Sequence, residues 1–559
     1  MKSLLFQIVF KFSSIHDRNF IKLIPVMYRI KLLCLLSFLP IIICGSNYSI
    51  IPFPQKLIEK KGNFTLNRHT GIVYSRFTIQ EITSVSSAFI QKFQTVSDIQ
   101  LRINPSSVAQ DNTIFIKKNT NLKNTEAYKL LITKSNITIE ASTPQGAFYA
   151  LQTLRQLLPD KFVSIAKQLN VDWLIPCCEI EDAPALEYRG LMLDVCRSFS
   201  GVEEVKALID QLAFLKLNTF HWHLTDDQGW RIEIKKYPLL SQLGSLRQGT
   251  QIGHTDSSDN MPYGGFYTQE EARSIVQSAA EHFITVIPEI EMPGHSVAAL
   301  TAYPQYSCTG GPFEVRKTWG VSDDIFCAGN DSTFLFLQDI LTEIIDIFPS
   351  TLIHVGGDEA PKNRWKECPK CQGRMQSEGL KNEMELQSYF TRRIEKFLAE
   401  KNRRLLGWDE ILEGGLPPEA TVMSWQGTTG GIAAARQFHD VIMSPGSYCY
   451  FDHYQSDPTT EPLAFGGLTT LEKVYSFEPV PAELSSAESK HILGAQCNLW
   501  TEYITTPEYL EYMAYPRAIA LAEVNWSSKE SRNWTNFTKR MQNQYPRLDL
   551  KKVNYRREK

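Results

Sequence analysis

The sequence lacks several features that would assign it to a common functional class. No internal apolar stretch is long enough to span a bilayer, and no long basic run indicates nucleic acid as the main partner. No H-E-x-x-H or H-x-x-x-H pattern predicts a zinc-binding helix. The turn "DVCRSFSG" is not the glycine-rich phosphate turn that a doubly wound nucleotide-binding sheet would need. What remains is an ordinary globular composition: 559 residues, 43% hydrophobic and 21% charged, with a formal net charge of -3. Such a length predicts more than one domain.

The first 46 residues are expected to be an N-terminal targeting segment. A basic flank precedes the apolar run Leu32–Cys44, and small residues follow it, which is typical of a secretory signal peptide. Met27 is the more natural start for such a signal. An uncleaved anchor, a lipid anchor at Cys44 and an ordinary buried strand are weaker alternatives, because the run is short, bulky Ile43 precedes the cysteine, and the flank is basic. The sequence therefore predicts the secretory pathway, with a secreted or lysosomal protein, or a periplasmic one if bacterial.

Nine cysteines follow this segment, and an odd number cannot pair completely within one chain. Cys308 and Cys327 flank one loop and are predicted partners. The "CPKC" motif, Cys368 and Cys371, has no further zinc ligands nearby in sequence, so a local disulfide or free thiols are favoured there. Seven glycosylation sequons support secretion only slightly, since chance gives a similar number: Asn47, Asn63, Asn136, Asn330, Asn525, Asn533 and Asn536.

Residues 47–183 predict a small, non-catalytic α+β domain. Strand-like runs such as "NTIFIKK" and "YKLLITKSNITIEAS" are separated by polar turns, and "GAFYALQTLRQLL" has an apolar helical pattern. From residue 184 to 530 the pattern changes to eight apolar strands that alternate with amphipathic helices, one of them opened by Asn382. This alternation predicts a (β/α)8 barrel of the α/β class, with residues 531–559 left as a C-terminal tail.

The predicted barrel strands end in polar groups that cores normally exclude. Chemistry in such barrels takes place at the carboxyl ends of the strands. A strand-end carboxylate often caps the next helix, and a histidine there can be a satisfied core residue, so each group alone has a structural explanation. All eight ends behave alike, however: Asp194, Arg197, His221, His223, Asp226, Asp227, Glu289, Glu291, His295, Asp358, Glu359, Trp408, Asp409, Glu410, Trp425, Tyr450, Asp452, Trp500 and Glu502.

The kinds of residue at these ends indicate a sugar site. Tryptophans can form apolar walls for a pyranose ring, while carboxylates and arginines bind its hydroxyls. Most glycosidases use two separated carboxylates, but Asp358 and Glu359 are adjacent. Successive side chains on a regular strand point to opposite faces, so this pair belongs to a loop opened by Gly356 and Gly357. The spacing is poor for an ordinary double displacement and indicates a nucleophile from elsewhere.

The motif "HVGGDEAP" closely resembles the H-x-G-G-D-E signature of family 20 glycoside hydrolases, the β-N-acetylhexosaminidases. The resemblance continues in the family's order through "YRGLMLD", "HWHLTDDQGWR", "PEIEMPGHS", "WDE", "SWQG", "YCYFD" and "NLWTEY". It covers the whole barrel, and the preceding domain is similar to the family's non-catalytic α+β domain. The resemblance implies exo-acting release of terminal N-acetylglucosamine, and of N-acetylgalactosamine as a second substrate, from glycoconjugates or chitin oligomers.

The mechanism that this resemblance implies explains the adjacent acids. In the family the carbonyl oxygen of the substrate's own 2-acetamido group attacks the anomeric carbon, with retained configuration. By resemblance, Glu359 is the general acid and later the base, Asp358 orients the acetamido nitrogen, and Tyr450 donates a hydrogen bond to the attacking carbonyl. We expect Asp358 to be ionised and Glu359 to be neutral, because an adjacent charge in an apolar pocket raises a carboxyl pKa.

The resemblance also implies eight substrate-binding positions. Arg189 would hold the 3- and 4-hydroxyls, and Asp452 and Glu502 would reach the 4- and 6-hydroxyls. Three tryptophans would form the pocket walls, and Asp226 with His295 would support the acid. The complete set is Arg189, Asp226, His295, Trp408, Trp425, Asp452, Trp500 and Glu502.

Two other functions fit parts of the pattern. A secreted barrel could bind amino sugars without hydrolysing them, although Glu359 and its partners are all present. A retaining glycosidase could use Asp358 as a covalent nucleophile, and it would then cleave sugars that have no acetamido group. We expect no cofactor and no catalytic metal, because "HWH" has no obvious third ligand. The expected partner is a terminal β-linked N-acetylhexosamine, with no nucleic acid and no stable membrane span. A homodimer is an expectation carried by the resemblance alone.

Overall fold

The computed structural model describes residues 48–558 of the chain. The predicted targeting segment, residues 1–46, lies outside the described residues. Among residues 48–558 no helix combines the length and the apolar character that crossing a membrane requires.

The first domain is built on a seven-stranded sheet. Alternating burial shapes it: in strand Asn136–Ala141 the side chains of Ile137, Ile139 and Ala141 are buried and their neighbours are partly exposed. Helices Ile79–Ser97 and Pro144–Leu157 pack against each other beside the sheet. The strands are β1 (Lys56–Thr65), β2 (Gly71–Ser75), β3 (Arg102–Pro105), β4 (Thr113–Lys118), β5 (Tyr128–Ile132), β6 (Asn136–Ala141) and β7 (Leu174–Asp182). Their order in the sheet is β1-β7-β5-β6-β4-β2-β3.

The second domain is a closed parallel barrel, as the sequence predicts. Its strands are β8 (Tyr188–Asp194), β9 (Thr219–His223), β10 (Thr285–Glu289), β11 (Leu352–His354), β12 (Arg404–Trp408), β13 (Thr421–Ser424), β14 (Val441–Met443) and β15 (Ile492–Leu499). Each strand pairs with the next along the chain, and β15 closes the barrel on β8. Every residue of β8 and β9 is buried, which is typical of strands covered on both faces.

Helices surround the barrel and lie in the loops at its rim. Asn382 caps one of them as predicted, because its side chain accepts hydrogen bonds from the N–H groups of Met384 and Glu385. The helices are Val202–Phe214, Leu239–Gln242, Gln269–Glu281, Val297–Ala302, Asp331–Ile347, Asn363–Glu367, Pro369–Glu378, Glu383–Glu400, Thr429–Ala435, Gly446–Cys449, Leu471–Tyr475, Pro507–Ala514 and Arg517–Trp526.

The C-terminal segment is not the tail that the sequence predicts. Residues 531–559 include the helix Trp534–Lys551, which packs against both domains. Arg540 lies 2.7 Å from Glu523 of the barrel domain, and Nε of Arg547 lies 2.9 Å from Oδ1 of Asp160 in the first domain. The polar composition of the segment gave no sign of this helix in the sequence. Its buried arginines form ion pairs with carboxylates elsewhere in the fold.

The described cysteines and sequons bear on two further predictions. None of the nine cysteines in the described part of the chain forms a disulfide, so the predicted Cys308–Cys327 bridge is absent. Asn525 is fully buried and its side chain bonds the backbone of Ala495. That sequon is therefore inaccessible to a glycan in the folded chain.

Candidate active site

The two adjacent acids, here called the acid pair (Asp358 and Glu359), lie on the loop that follows β11. Gly356 and Gly357 have φ values of +66° and +100° and turn the chain out of the strand. A Cβ atom on Gly356 would lie 1.7 Å from Oε2 of the buried Glu291, so no side chain fits there. Glu359 itself has a φ of +42°, a conformation that a non-glycine residue adopts only when its surroundings hold it.

One imidazole lies beside both acids. Nε2 of His295 is 3.5 Å from Oδ2 of Asp358 and 3.6 Å from Oε2 of Glu359. The two carboxyl groups therefore lie on the same side of the site. Their exposure differs, since the side chain of Asp358 is 12% exposed and that of Glu359 is 43% exposed.

This difference in exposure sets the pKa values of the pair. Burial, opposed by the charge of His295 and aided by that of Glu410, raises the pKa of Asp358 to about 7. The hydrogen bond from His295 lowers the pKa of Glu359 below its ordinary value. In the free protein the proton of the pair belongs to Asp358, which reverses the order predicted from the sequence. The prediction was wrong because adjacency in the chain does not reveal which acid is buried.

A chain of buried charges holds His295 in place. Its Nδ1 lies 3.2 Å from Oδ1 of Asp226, and Oδ2 of Asp226 lies 2.8 Å from Arg197 and 3.0 Å from Nε2 of His223. Burial alone would lower the pKa of His295, but the charge of Asp226 and the hydrogen bonds with Asp226 and Glu359 raise it well above its usual value. The imidazole is therefore a cation that faces the acid pair. Asp226 supports the acids through His295.

A further carboxylate, Glu289 at the end of β10, organises the floor of the site. Its oxygens accept from Nε1 of Trp408 at 2.8 Å and lie 2.8 Å from Nδ1 of His354 and 3.1 Å from Nε2 of His221. The indole of Trp408 is thereby fixed, and it is only 1% exposed. Both histidines of the "HWH" motif, His221 and His223, thus contact the buried carboxylate of Glu289 at the base of the site.

Aromatic rings form a wall above this floor. The rings of Trp408 and Trp500 are 5.8 Å apart, and those of Tyr450 and Trp500 are 6.3 Å apart. Trp425 stacks almost parallel on Tyr450 at 6.0 Å. Trp425, Tyr450 and Trp500 are only partly buried, so their faces are available to an apolar surface. The structure therefore brings together all four predicted aromatic residues.

Two further carboxyl groups of the site, those of Asp452 and Glu502, are largely shielded from solvent. Asp452 is 4% exposed and the Glu502 side chain 10% exposed. Among the described residues, Oδ1 of Asp452 and Oε2 of Glu502 have no hydrogen-bond partner. Burial raises the pKa of both groups. Buried oxygens of this kind are suited to accept from ligand hydroxyls, because an unpaired buried polar atom is costly.

Arg189 does not belong to the site, and its predicted role in sugar binding is wrong. It is the second residue of β8 and lies roughly 16 Å along the strand from the carboxyl end, at about 3.3 Å per residue. Its fully buried guanidinium donates to both oxygens of Glu126, at 2.7 and 3.0 Å, and to the carbonyl of Lys216. Arg189 links the two domains.

Arg197 and Glu410 also belong to the site, although neither is among the binding positions that the family resemblance implies. Arg197 follows the carboxyl end of β8 and its guanidinium lies 5.1 Å from the Trp500 ring centroid. It also lies 4.0 Å from Oε1 of Glu502. Oε2 of Glu410 accepts from Nε1 of Trp425 at 3.0 Å. Arg197 follows the end of the strand, whereas Arg189 lies within it, and this difference is the signal that distinguishes the two.

Comparison with known proteins agrees with this geometry. Residues 186–529 match the catalytic domain of glycosyl hydrolase family 20, and residues 47–183 match domain 2 of the same family. The chain belongs to glycosyl hydrolase family 20. Relatives in the family include a beta-hexosaminidase of Porphyromonas gingivalis, 48% identical over 91% of this chain, and one of Vibrio furnissii, 38% identical over 86%.

The family resemblance extends to solved structures. A GH20 exo beta-N-acetylglucosaminidase from Vibrio harveyi, in complex with N-acetylglucosamine, superposes with a TM-score of 0.80 at 34% identity. The match covers 92% of this chain and 79% of that one. The chain spans 64% of the length of the Porphyromonas relative and 76% of that from Vibrio furnissii.

Proposed function

We propose that this protein is an exo-acting β-N-acetylhexosaminidase that releases terminal N-acetylglucosamine, and also N-acetylgalactosamine, with retained configuration. The observation that carries the proposal is the position of both acids within 3.6 Å of one histidine nitrogen. Carboxyl groups that share one partner on one side of a site are poorly placed to attack and protonate opposite faces of a sugar. A nucleophile supplied by the substrate removes that difficulty.

In the first step the acetamido carbonyl oxygen bonds to the anomeric carbon while the glycosidic C–O bond breaks. The proton of Glu359 passes to the departing oxygen. Asp358 accepts the hydrogen bond of the acetamido N–H and stabilises the positive charge that develops on the resulting oxazolinium ring. Tyr450 donates to the carbonyl oxygen. In the second step Glu359 takes a proton from water, water bonds to the anomeric carbon, and the ring opens to the product.

Substrate binding must move the proton of the acid pair for this sequence to begin. An ionised Asp358 accepts the amide N–H more strongly than a neutral one would, and a bound sugar shields Glu359 from water. Desolvation disfavours the charged form of a carboxyl. Both effects favour Asp358 as the anion and Glu359 as the acid once substrate is bound, which reverses the order in the free protein.

The remaining polar groups support recognition of a terminal sugar. Arg197, Asp452 and Glu502 are suited to bind the ring hydroxyls, because Arg197 contacts Glu502 and oxygens of both carboxyl groups have no hydrogen-bond partner among the described residues. A cavity of about 410 Å³ opens beside Glu359, and Lys362 and Glu410 are among its lining residues. This cavity would accommodate the leaving group of the substrate.

The test compares an aryl N-acetyl-β-glucosaminide with the matching aryl β-glucoside. Cleavage of the acetamido sugar alone, with the β-anomer as the first product seen by NMR, is the expected result. Comparable cleavage of both sugars would contradict the proposal and indicate an enzyme nucleophile such as Asp358. Cleavage of neither, by folded protein that still binds N-acetylglucosamine, would indicate a sugar-binding barrel.

We also propose that the chain is exported, on the basis of the targeting segment predicted over residues 1–46. N-terminal sequencing of the mature protein from fractionated cells tests this. Pairing with a second copy of the chain stays a prediction, and light scattering on purified protein measures it.

A further inference from the structure

Four cysteines that are far apart in the sequence meet in the fold. The Sγ atoms of Cys308 and Cys371 are 3.7 Å apart, those of Cys327 and Cys371 are 3.7 Å apart, and those of Cys327 and Cys368 are 3.8 Å apart. All four sulfurs lie within 4.8 Å of one another. We call these four residues the thiol cluster.

The separation of the sulfurs fits a tetrahedral ion and not a covalent bridge. Zinc–sulfur bonds are about 2.3 Å long, and ligands on a tetrahedron of that radius are about 3.8 Å apart. A disulfide would bring two sulfurs to about 2.05 Å. The observed distances match the edges of the tetrahedron. We propose that the thiol cluster binds a single Zn²⁺ ion in a closed tetrathiolate site.

Two loops are shaped to bring these cysteines together. Ser307 and Phe326 form an antiparallel bridge, and the N–H of Cys327 donates to the carbonyl of Tyr306 at 2.8 Å. This bridge places Cys308 next to Cys327. Nε1 of Trp365 donates to the carbonyl of Phe326 at 2.9 Å and so fastens the segment that precedes Cys368 to the same bridge.

The other pair of ligands lies at the start of a helix. Cys368 precedes the helix Pro369–Glu378, and Cys371 is in its first turn. A Cβ atom on Gly329 would lie 2.1 Å from the carbonyl carbon of Lys370, so only glycine allows the loop after Cys327 to approach this turn. This close approach brings Cys327 near Cys368 and Cys371.

The sequence alone disfavours zinc at Cys368 and Cys371, because no further ligands lie nearby in the chain. The structure supplies them from the loop after β10, as Cys308 and Cys327. These two residues were predicted to pair with each other. Three of the four are buried and Cys308 is partly buried, which suits a structural site with no open coordination position.

Zinc explains how buried thiols can remain together. Each thiol releases its proton to solvent as its zinc–sulfur bond forms, and the ion neutralises charges that would otherwise repel one another. Tetrahedral sulfur sites hold zinc or iron. Zinc has no redox chemistry, so its thiolates would persist where free thiols would form disulfides.

The position of the thiol cluster gives it a positioning role. It joins the loop after β10, which carries His295, to the loop after β11, which carries the acid pair. The salt bridge of Arg364 with Asp324, with Nε 2.8 Å from Oδ1, connects the same two loops at the surface. Zinc would thereby help to fix the distance between His295 and Asp358.

The first measurement is the metal content of the full chain, purified under reducing conditions without a metal-affinity step and then dialysed against ZnCl₂ and metal-free buffer. One zinc per chain by elemental mass spectrometry is the expected result. Protein loaded with Co²⁺ instead should show the intense thiolate-to-metal absorption and the visible bands of a tetrahedral site. Less than a tenth of an equivalent of zinc, or iron in its place, would overturn the proposal. So would two disulfides among the four cysteines after this treatment.

Variants connect the ion to these residues. Cys368→Ser and Cys371→Ser should each lower the zinc content at least tenfold and lower the temperature of unfolding. Cys177→Ser, in the first domain and outside the cluster, is the matched control and should retain one zinc. Zinc that stays bound in both cluster variants would place the ion elsewhere and refute the assignment. The wild-type metal content decides the question if a variant fails to fold.

Discussion

Nε2 of His295 lies 3.5 Å from Oδ2 of Asp358, and the histidine is buried and cationic beside an acid whose pKa is about 7. The pair thus places a fixed positive charge next to a carboxyl group that can still hold a proton near neutral pH. Protonation of the acid pair is therefore set by this contact and by the burial of Asp358.

The pH dependence of kcat/KM should report this arrangement, because kcat/KM follows the ionisation of the free enzyme. Activity needs one proton on the acid pair. The last proton leaves with an apparent pKa of about 7, the value for Asp358, so kcat/KM should fall above that pH with a slope of one proton.

The variant Asp358→Asn should move this limb. Glu359 is then the only acid of the pair, and its hydrogen bond with His295 lowers its pKa. The alkaline limb should shift to the acidic side of the ordinary glutamate range, together with a loss of kcat. A limb that stays near pH 7 in the variant would show that another group titrates there.

The general acid can be tested through the leaving group. In Glu359→Gln, kcat/KM for a substrate with a sugar leaving group should fall by roughly 10²–10⁴-fold, the usual contribution of general acid catalysis. An activated aryl leaving group needs no proton, so its kcat/KM should fall much less. Added azide should raise kcat with the aryl substrate, since azide attacks without a general base. Equal losses on both substrates would indicate that Glu359 has only a structural role.

Arg189 and Arg197 lie eight positions apart in the chain and should have separable effects. Arg189→Met leaves the carboxylate of Glu126 buried and unpaired, which should lower the free energy of unfolding by about 3–5 kcal/mol with little change in KM. Urea unfolding curves measure the first effect. An unchanged stability would contradict the interdomain role of Arg189.

Arg197→Lys keeps the charge but loses the planar fork that reaches Asp194 and Asp226. A hydrogen bond to a charged group contributes about 1.5–3 kcal/mol, so kcat/KM should fall roughly ten- to a hundredfold. Steady-state kinetics with an aryl N-acetyl-β-glucosaminide checks this, and circular dichroism confirms the fold. Wild-type kinetics in this variant would exclude Arg197 from the site.

These two arginines show what the sequence can and cannot predict. Alternating strands and helices predicted the closed barrel, and the strand ends predicted which aromatic residues and acids would converge. The sequence placed Arg197 at the carboxyl end of the first barrel strand, but the family resemblance assigned the sugar hydroxyls to Arg189, whose contact with Glu126 of the other domain no local pattern reveals. Burial is also a tertiary property, and for that reason the proton of the acid pair was assigned to the wrong residue. Cys308 and Cys371 meet across 63 positions of the chain, a contact that no local pattern encodes.

The last prediction concerns the turn that presents the acid pair. In Gly356→Ala the new methyl group would meet Oε2 of buried Glu291, and a positive φ costs an alanine about 1–2 kcal/mol. We expect a loss of stability of at least that size in urea unfolding, together with a fall in kcat as the loop moves the acids away from His295. The matched control is Gly373→Ala in the helix Pro369–Glu378, where a Cβ meets nothing within 4 Å.

In that control, alanine should stabilise the helix by about 0.5–1 kcal/mol and leave kcat unchanged. If Gly356→Ala retained full activity and stability, the turn would tolerate a side chain. Glu291 would then have to move aside at no cost. Because both oxygens of Glu291 are buried without a hydrogen-bond partner among the described residues, and burial raises its pKa well above the ordinary value, its carboxyl group is neutral and packed against the turn. Glycine at position 356 therefore leaves room for the Glu291 carboxyl group beside the turn that presents the acid pair.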